Sequence, residues 1–216
     1  MSKNLKKRIY TSLGLILLLI LMFINNYATS YFLIVIGVFS ILEFLKIILI
    51  VFNKKKIIQI FINLIFILFI FIFCFIFLFL SFYAHLKILL FIILITCIFS
   101  DIGGFVFGKI FKGAKLTKIS PKKTISGALG SLILSSAFIL LAIYYFTNTF
   151  DLLILLVGIV TSVSCQFGDL LFSFLKRKSL LKDTGNLLPG HGGILDRIDG
   201  ILFGMPIGLI TLLIIY

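Results

Sequence analysis

The sequence predicts an all-α, polytopic integral membrane protein of about seven (7–9) transmembrane helices with its functional loops on the cytoplasmic side. Three observations carry this. Of 216 residues, 62% are hydrophobic, and the mean hydropathy is +1.30; no soluble domain of this length needs so much apolar surface. Apolar windows of about 20 residues recur along the whole chain, each long enough to cross a bilayer. The basic residues fall between those windows, where they orient the protein. A net charge of +13 is therefore read as a topology signal rather than as affinity for nucleic acid.

The predicted spans are 8–24, 29–52, 57–82, 88–108, 125–147, 151–175 and 200–216. The first follows Lys3, Lys6, Lys7 and Arg8 as a signal peptide would, but no small-residue cleavage site precedes Asn25-Asn26, so it is read as a retained anchor. The 57–82 run has no internal charge and fits one long tilted helix or two short ones. With the N-terminus inside, Lys54–Lys56, the lysines from 109 to 123, and the bases from 176 to 197 all become cytoplasmic. The outer side keeps only Lys87. Two cytoplasmic loops follow, 109–124 and 176–199, and the C-terminus falls outside. Cys74, Cys97 and Cys165 lie in apolar segments without metal spacing and are read as packing thiols. Trp is absent, so Tyr and Phe must supply any aromatic belt.

Charge is expensive in or beside a bilayer, and it is concentrated in 173–199, SFLKRKSLLKDTGNLLPGHGGILDRID. Gln166, Asp169, Ser173, Lys176 and Arg177 recur every three or four residues, so a sixth helix continuing through Arg177 places them on one face. Snorkelling explains Lys176–Lys178 at a helix end. It does not explain Asp169, about two turns inside an apolar span, which needs a partner or a metal. The turn 188–193 contains Gly190, Gly192 and Gly193, which let backbone N–H groups approach a ligand closely, although an ordinary turn has the same composition. Asp196 and Asp199 follow at i and i+3; such carboxylates hold a hard cation or start a helix. Only His85 and His191 are present, so oxygen ligands and Mg²⁺ are favoured over zinc.

A second polar patch runs from Asp101-Ile-Gly-Gly104 into the lysine-rich loop with Ser120-Pro121-Lys122-Lys123-Thr124. Lys122 and Lys123 can bind anionic phospholipid or a triphosphate, or simply set topology. Glu43 and Lys46, at i and i+3 in the second span, are read as a mutually neutralising pair outside the site.

The continuous pattern Ser173-x2-Lys176-Arg177-x4-Lys182-Asp183-x-Gly185-x2-Leu188-Pro189-x-His191-Gly192-Gly193-x2-Asp196-Arg197-x-Asp199 closely resembles the signature of the phosphatidate cytidylyltransferases, or CDP-diacylglycerol synthases. Gln166-Phe-Gly168-Asp169, Asp101-Ile-Gly-Gly104 and Ser120-Pro121-Lys122-Lys123-Thr124 look like that family's other motifs. Ile125-Ser126 departs from the aromatic and acid expected after the last of these. The resemblance covers about residues 98–204, and the first half matches only through Glu43-Phe44. It divides the chain into N-terminal membrane helices, 1–97, and a catalytic membrane domain, 98–216.

The resemblance implies transfer of a cytidylyl group from CTP to phosphatidate in phospholipid biosynthesis, in a bacterial-type inner membrane. It implies Asp169, Asp196 and Asp199 as Mg²⁺ ligands and catalytic residues, with Lys176 and Arg177. It implies Ser173, Lys182, Asp183, His191, Gly192, Gly193 and Arg197, with Lys122 and Lys123, as substrate-binding. The implied partners are CTP, phosphatidate and membrane lipid, with no nucleic acid; a monovalent cation beside Mg²⁺ and a homodimer are left open. The competing classes are a CTP-dependent polyprenol or phytol kinase, an ion-coupled transporter using Asp101, Asp169 and Glu43, and a non-catalytic lipid-binding relic. No paired halves of the kind transporters carry are found.

Overall fold

The computed structural model describes every residue except 1, 2, 118, 122, 182, 186, 188–191 and 216, and of residues 3–9 the backbone alone. The described residues form seven helices: α1 Lys3–Ile24, α2 Asn26–Val51, α3 Lys56–Ser81, α4 Ala84–Phe111, α5 Ile125–Thr147, α6 Ile154–Lys178 and α7 Leu195–Ile215. They contain no strand, only an isolated bridge between Lys115 and Thr124. The all-α expectation holds. Helices α2 to α7 are long and apolar enough to cross a membrane, while the apolar part of α1, Tyr10–Ile24, is shorter.

Local chemistry sets the helix ends. The charge-free run after Lys56 is one helix, not two, because nothing from Lys56 to Ser81 is a glycine or proline that would break it. The turn between α1 and α2 shrinks to one residue, Asn25, whose Oδ1 accepts from Tyr27 N at 2.8 Å. Thr29 Oγ1 then donates back across the turn to Met22 O at 2.6 Å. Asp151 forms a local turn by accepting from Leu153 N at 2.9 Å, and α6 starts at Ile154 rather than 151. The two polar loops are accordingly shorter than predicted, 112–124 and 179–194. Pro206 sits within α7.

The chain divides into two compact units. One comprises Met1–Lys87 with Leu175–Ile198, the other Ile88–Phe174 with Asp199–Tyr216. In the first, α2 and α3 form an antiparallel hairpin. Phe44 stacks on Phe66 with ring centroids 3.7 Å apart, and Cys74 Sγ approaches Leu33 O at 3.7 Å. In the second, small residues let helices touch backbone to backbone, the usual packing device where lipid removes the hydrophobic drive. A Cβ on Gly103 would lie 2.5 Å from Gly130 O, and one on Gly158 2.5 Å from Ser136 Cα. Hydroxyls reinforce these crossings: Ser100 and Ser162 are 2.7 Å apart, and Ser135 donates to Gly158 O at 3.2 Å. Cys97 and Cys165 are buried free thiols packed beside Gly204, as expected of packing residues.

The α4–α5 contact is backbone against backbone, so even one methyl must push the helices apart. Gly103→Ala should destabilise the protein by about 1–3 kcal/mol through overpacking. Gly14→Ala, with nothing within 4 Å of its added Cβ, should be neutral or slightly stabilising. Thermal unfolding in detergent, followed by size exclusion, measures both; equal midpoints would contradict the close crossing.

Candidate active site

The predicted site residues fall into two clusters, one in each unit. The first surrounds the start of α7. Helix α6 stays helical through Lys178, as the three-to-four spacing requires, and ends in a Schellman turn. Leu181 N donates to Lys176 O at 2.9 Å and Leu180 N to Arg177 O at 3.1 Å. Leu180 takes a left-handed φ of 59°, a conformation usually left to glycine, and is almost fully exposed. This sharp stop sends the chain back towards Asp196.

Asp196 is held on both oxygens. Lys176 Nζ donates to Oδ1 at 2.7 Å, and the two side chains are only 12% and 7% exposed. Thr184 N and Gly193 N donate to Oδ2 at 2.8 and 3.0 Å, and Thr184 Oγ1 lies 3.0 Å from it. The ion pair is therefore closed off from bulk water and carries backbone donors as well. Gly192 needs to be glycine twice over. Its φ is +87°, and a Cβ there would lie 2.9 Å from Asp196 Oδ2 and 3.3 Å from Asp183 Cβ.

Glu43 belongs to this cluster, which corrects its pairing with Lys46. Its carboxylate is buried while Lys46 is exposed on the same helix. Oε1 accepts from Ile194 N at 3.1 Å; Oε2 accepts from Leu195 N at 2.9 Å and from Thr184 Oγ1 at 2.6 Å. The first amides of a helix have no partner within it. Here an acid from α2 caps α7 across 152 residues of sequence, where the helix dipole favours negative charge. The i, i+3 spacing to Lys46 hid this. The available signal was the rule already applied to Asp169, that an acid inside an apolar span needs donors.

Exposed bases ring this cluster: Arg177, Lys178 and Arg197. Lys178 Nζ lies 5.1 Å above the Phe52 ring. Asp183 is exposed as well. Lys182 and His191 lie outside the described residues, as does Lys122.

The second cluster is built on the middle of α6. Ser173 Oγ donates to Asp169 Oδ1 at 3.2 Å, as their shared face predicts, and Lys123 forms an ion pair with Asp169 Oδ2. Asp169 therefore has a lysine partner from the 112–124 loop, which spacing along α6 could not reveal. That loop is shaped locally. Lys123 N donates to Ser120 O at 3.0 Å around Pro121, and Leu116 N to Lys123 O at 2.8 Å. Thr124 caps α5 by accepting from Gly127 N at 3.1 Å. Ser126, one of the two departures from the family pattern, accepts from Gly113 N at 3.2 Å and so fastens the loop's start. Gln166 Nε2 donates to Ala128 O at 3.3 Å, tying α6 to α5. Asp101 is exposed on α4. Asp199 is buried, its Oδ1 accepting from Gly200 N at 2.9 Å, and its backbone carbonyl lies against Gly168.

Among the described residues no three His, Cys, Asp or Glu side chains gather as a ready metal cage. The chemistry available is of another kind: two acids, Asp169 and Asp196, are each paired with a lysine, and further bases are exposed. Such lysines are fit to meet phosphates.

Comparison with known proteins agrees with this chemistry. The family model described as "Cytidylyltransferase family" matches residues 1–215, and the chain belongs to that family. A phosphatidate cytidylyltransferase of Rickettsia felis is 41% identical over 128 residues, covering 54% of this chain and 56% of that protein. One of Helicobacter pylori is 41% identical over 128 residues, 56% of this chain and 45% of the relative. One of Staphylococcus haemolyticus is 42% identical over 110 residues, 50% of this chain and 42% of the relative. The chain spans about half the length of the curated relatives it matches.

Breaking a buried ion pair from one side strands a charge. Lys176→Met should cost about 3 kcal/mol or more of stability. Lys176→Met combined with Asp196→Asn should recover a large part, because the amide keeps an acceptor for Thr184 N and Gly193 N without the charge. Unfolding in detergent across the double-mutant cycle measures the coupling; additive losses would mean that the pair contributes nothing.

Proposed function

We propose that this member of the cytidylyltransferase family converts CTP and phosphatidate to CDP-diacylglycerol and pyrophosphate at the cytoplasmic surface of a bacterial-type inner membrane. The unbroken 173–199 motif carries the reading: it gathers bases and acids in an otherwise apolar helical protein, and one of its acids, Asp196, is paired with Lys176. One substrate is a lipid and the other a multiply charged anion in water, so a polar loop at the end of an apolar helix suits both.

The reaction forms a bond between a phosphate oxygen of phosphatidate and the α-phosphorus of CTP. It breaks the bond from that phosphorus to the bridging oxygen, and pyrophosphate leaves. Such transfer depends on positioning and charge neutralisation more than on covalent help. Lys176, Arg177, Lys182 and Arg197 are assigned to phosphates, with Lys122 and Lys123 from the second loop. Ser173 is assigned a hydrogen bond to a phosphate oxygen, and His191 with Gly192-Gly193 is assigned to phosphate binding in the motif. Asp183 is assigned to orient Lys182. Lys123 and Lys176 each rest on a carboxylate, so a phosphate arriving at either would compete for the lysine and leave carboxylate oxygens available.

Asp169, Asp196 and Asp199 supply the hard oxygen donors that fit Mg²⁺. Mg²⁺ is commonly bound through about one or two carboxylates plus substrate phosphates and water, so the cation is read as arriving with the nucleotide. Bound there, Mg²⁺ would offset charge building on the leaving pyrophosphate.

Purified protein given labelled CTP, phosphatidate and Mg²⁺ should move label into the lipid phase and release pyrophosphate. Asp169→Asn and Asp196→Asn should each lower turnover by about 10²–10³ while the protein stays folded. Lipid phosphate with CDP would instead identify a kinase, and no turnover by well-folded protein would sink the assignment.

The lysine distribution supports loops 112–124 and 179–194 inside the cell. With Cys74, Cys97 and Cys165 replaced, single cysteines in either loop should resist an impermeant thiol reagent in intact cells and react after lysis. Labelling from outside would overturn the orientation.

A further inference from the structure

Glu43 is buried among amide and hydroxyl donors, and the backbone at Gly185 and Gly193 passes close against it. A Cβ on Gly185 would lie 2.5 Å from its Oε1, and one on Gly193 would collide with its carboxylate and with Thr184 Oγ1. Two of the motif's glycines are thus needed where the backbone closes on an internal carboxylate. Three consecutive amides, of Gly193, Ile194 and Leu195, are received by two acids. Asp196 takes the first, and Glu43 takes the other two. Thr184 bridges the acids, its Oγ1 lying 2.6 Å from Glu43 and its N donating to Asp196 at 2.8 Å. On the other side Phe44 stacks on Phe66, which fixes the stretch of α2 that carries Glu43.

We infer that Glu43 is a positioning residue: it locks Thr184 and the backbone of 193–195 onto the start of α7 and so sets where Asp196 presents its carboxylate. Glu43 itself touches no substrate. The link to turnover rests on the cytidylyl-transfer reading above; the lock itself does not. Gln in its place keeps the size but puts an NH₂ against amide or hydroxyl donors. Asp keeps the charge but draws the carboxylate back by one methylene.

The test compares wild type, Glu43→Gln, Glu43→Asp and Lys46→Met in detergent, well below the unfolding temperature. Hydrogen exchange of peptides covering 192–196 reads the lock directly. Glu43→Gln should raise exchange there by at least tenfold, Glu43→Asp should raise it less, and Lys46→Met should leave it unchanged. In the CTP assay Glu43→Gln should lower kcat by about 10- to 100-fold and raise the Mg²⁺ concentration needed for half-maximal rate, with partial rescue in Glu43→Asp. Lys46→Met should remain near wild type. A uniform loss of folded protein would lower apparent kcat without moving the Mg²⁺ requirement, so that split separates positioning from general destabilisation. If Glu43→Gln does not fold, Thr184→Val replaces it, removing only the bridging hydroxyl, with the same direction expected. Unchanged exchange overturns the lock. Raised exchange with unchanged turnover and Mg²⁺ requirement overturns the positioning role. If wild type itself makes no CDP-lipid, the proposed reaction fails, and the exchange comparison still upholds or overturns the lock.

Discussion

A carboxylate stays charged away from water only when donors surround it, and the polar half of the first unit is arranged to meet that demand at Glu43. The acid stands in an apolar helix, where leaving it unpartnered would cost several kcal/mol. Two amides and a hydroxyl satisfy it. Those amides belong to the start of α7, where a helix has donors to spare and a dipole that welcomes an anion. Satisfying the acid and starting the helix are therefore one event. The glycines at 185 and 193 follow from it, because only hydrogen leaves room for a backbone that passes so close.

The same accounting runs through the second unit at lower cost. Asp169 is partly exposed and takes Lys123 and Ser173 as partners. Lysine is suited to a pairing that can be exchanged. It is a compact point charge on a flexible stem, without the fixed fork that would hold arginine to a carboxylate. Asp169 is held by side chains alone, whereas Asp196 adds the amides of Thr184 and Gly193 to its lysine. Glu43 is held by two backbone amides and the Thr184 hydroxyl.

Legibility in the sequence followed the range of the interaction. Hydropathy windows set the helices, because crossing a membrane is a property of contiguous residues. The continuation of α6 through Arg177 was readable from spacing, and the Asp169–Ser173 contact confirms the shared face. What spacing could not supply was a partner from elsewhere in the chain. Lys46 lies one turn from Glu43, whereas the true donors lie 141 to 152 residues away. Lys123 was read as a base looking for phosphate, and Asp169 as an acid looking for metal. Nothing local said that each would rest on the other. Helix ends moved for a similar reason: the loops shortened once the Schellman turn after Lys178 and the cap from Glu43 set where α6 stops and α7 starts.

The family model matches the N-terminal half as well, and the scarcity of readable motif residues there has a physical reading in these terms. Most of α1 to α3 need only be apolar and of the right length, a requirement that many sequences meet equally well. Glu43-Phe44 is the exception. The acid is bound to the motif's turn and the ring to Phe66, so this pair is constrained by shape and charge rather than by hydropathy. An apolar segment with one acid that cannot be traded for lipid-facing bulk is where such a half should retain recognisable residues. Glu43 sits in the N-terminal segment of the sequence, yet its partners, Thr184, Ile194 and Leu195, all belong to the C-terminal motif.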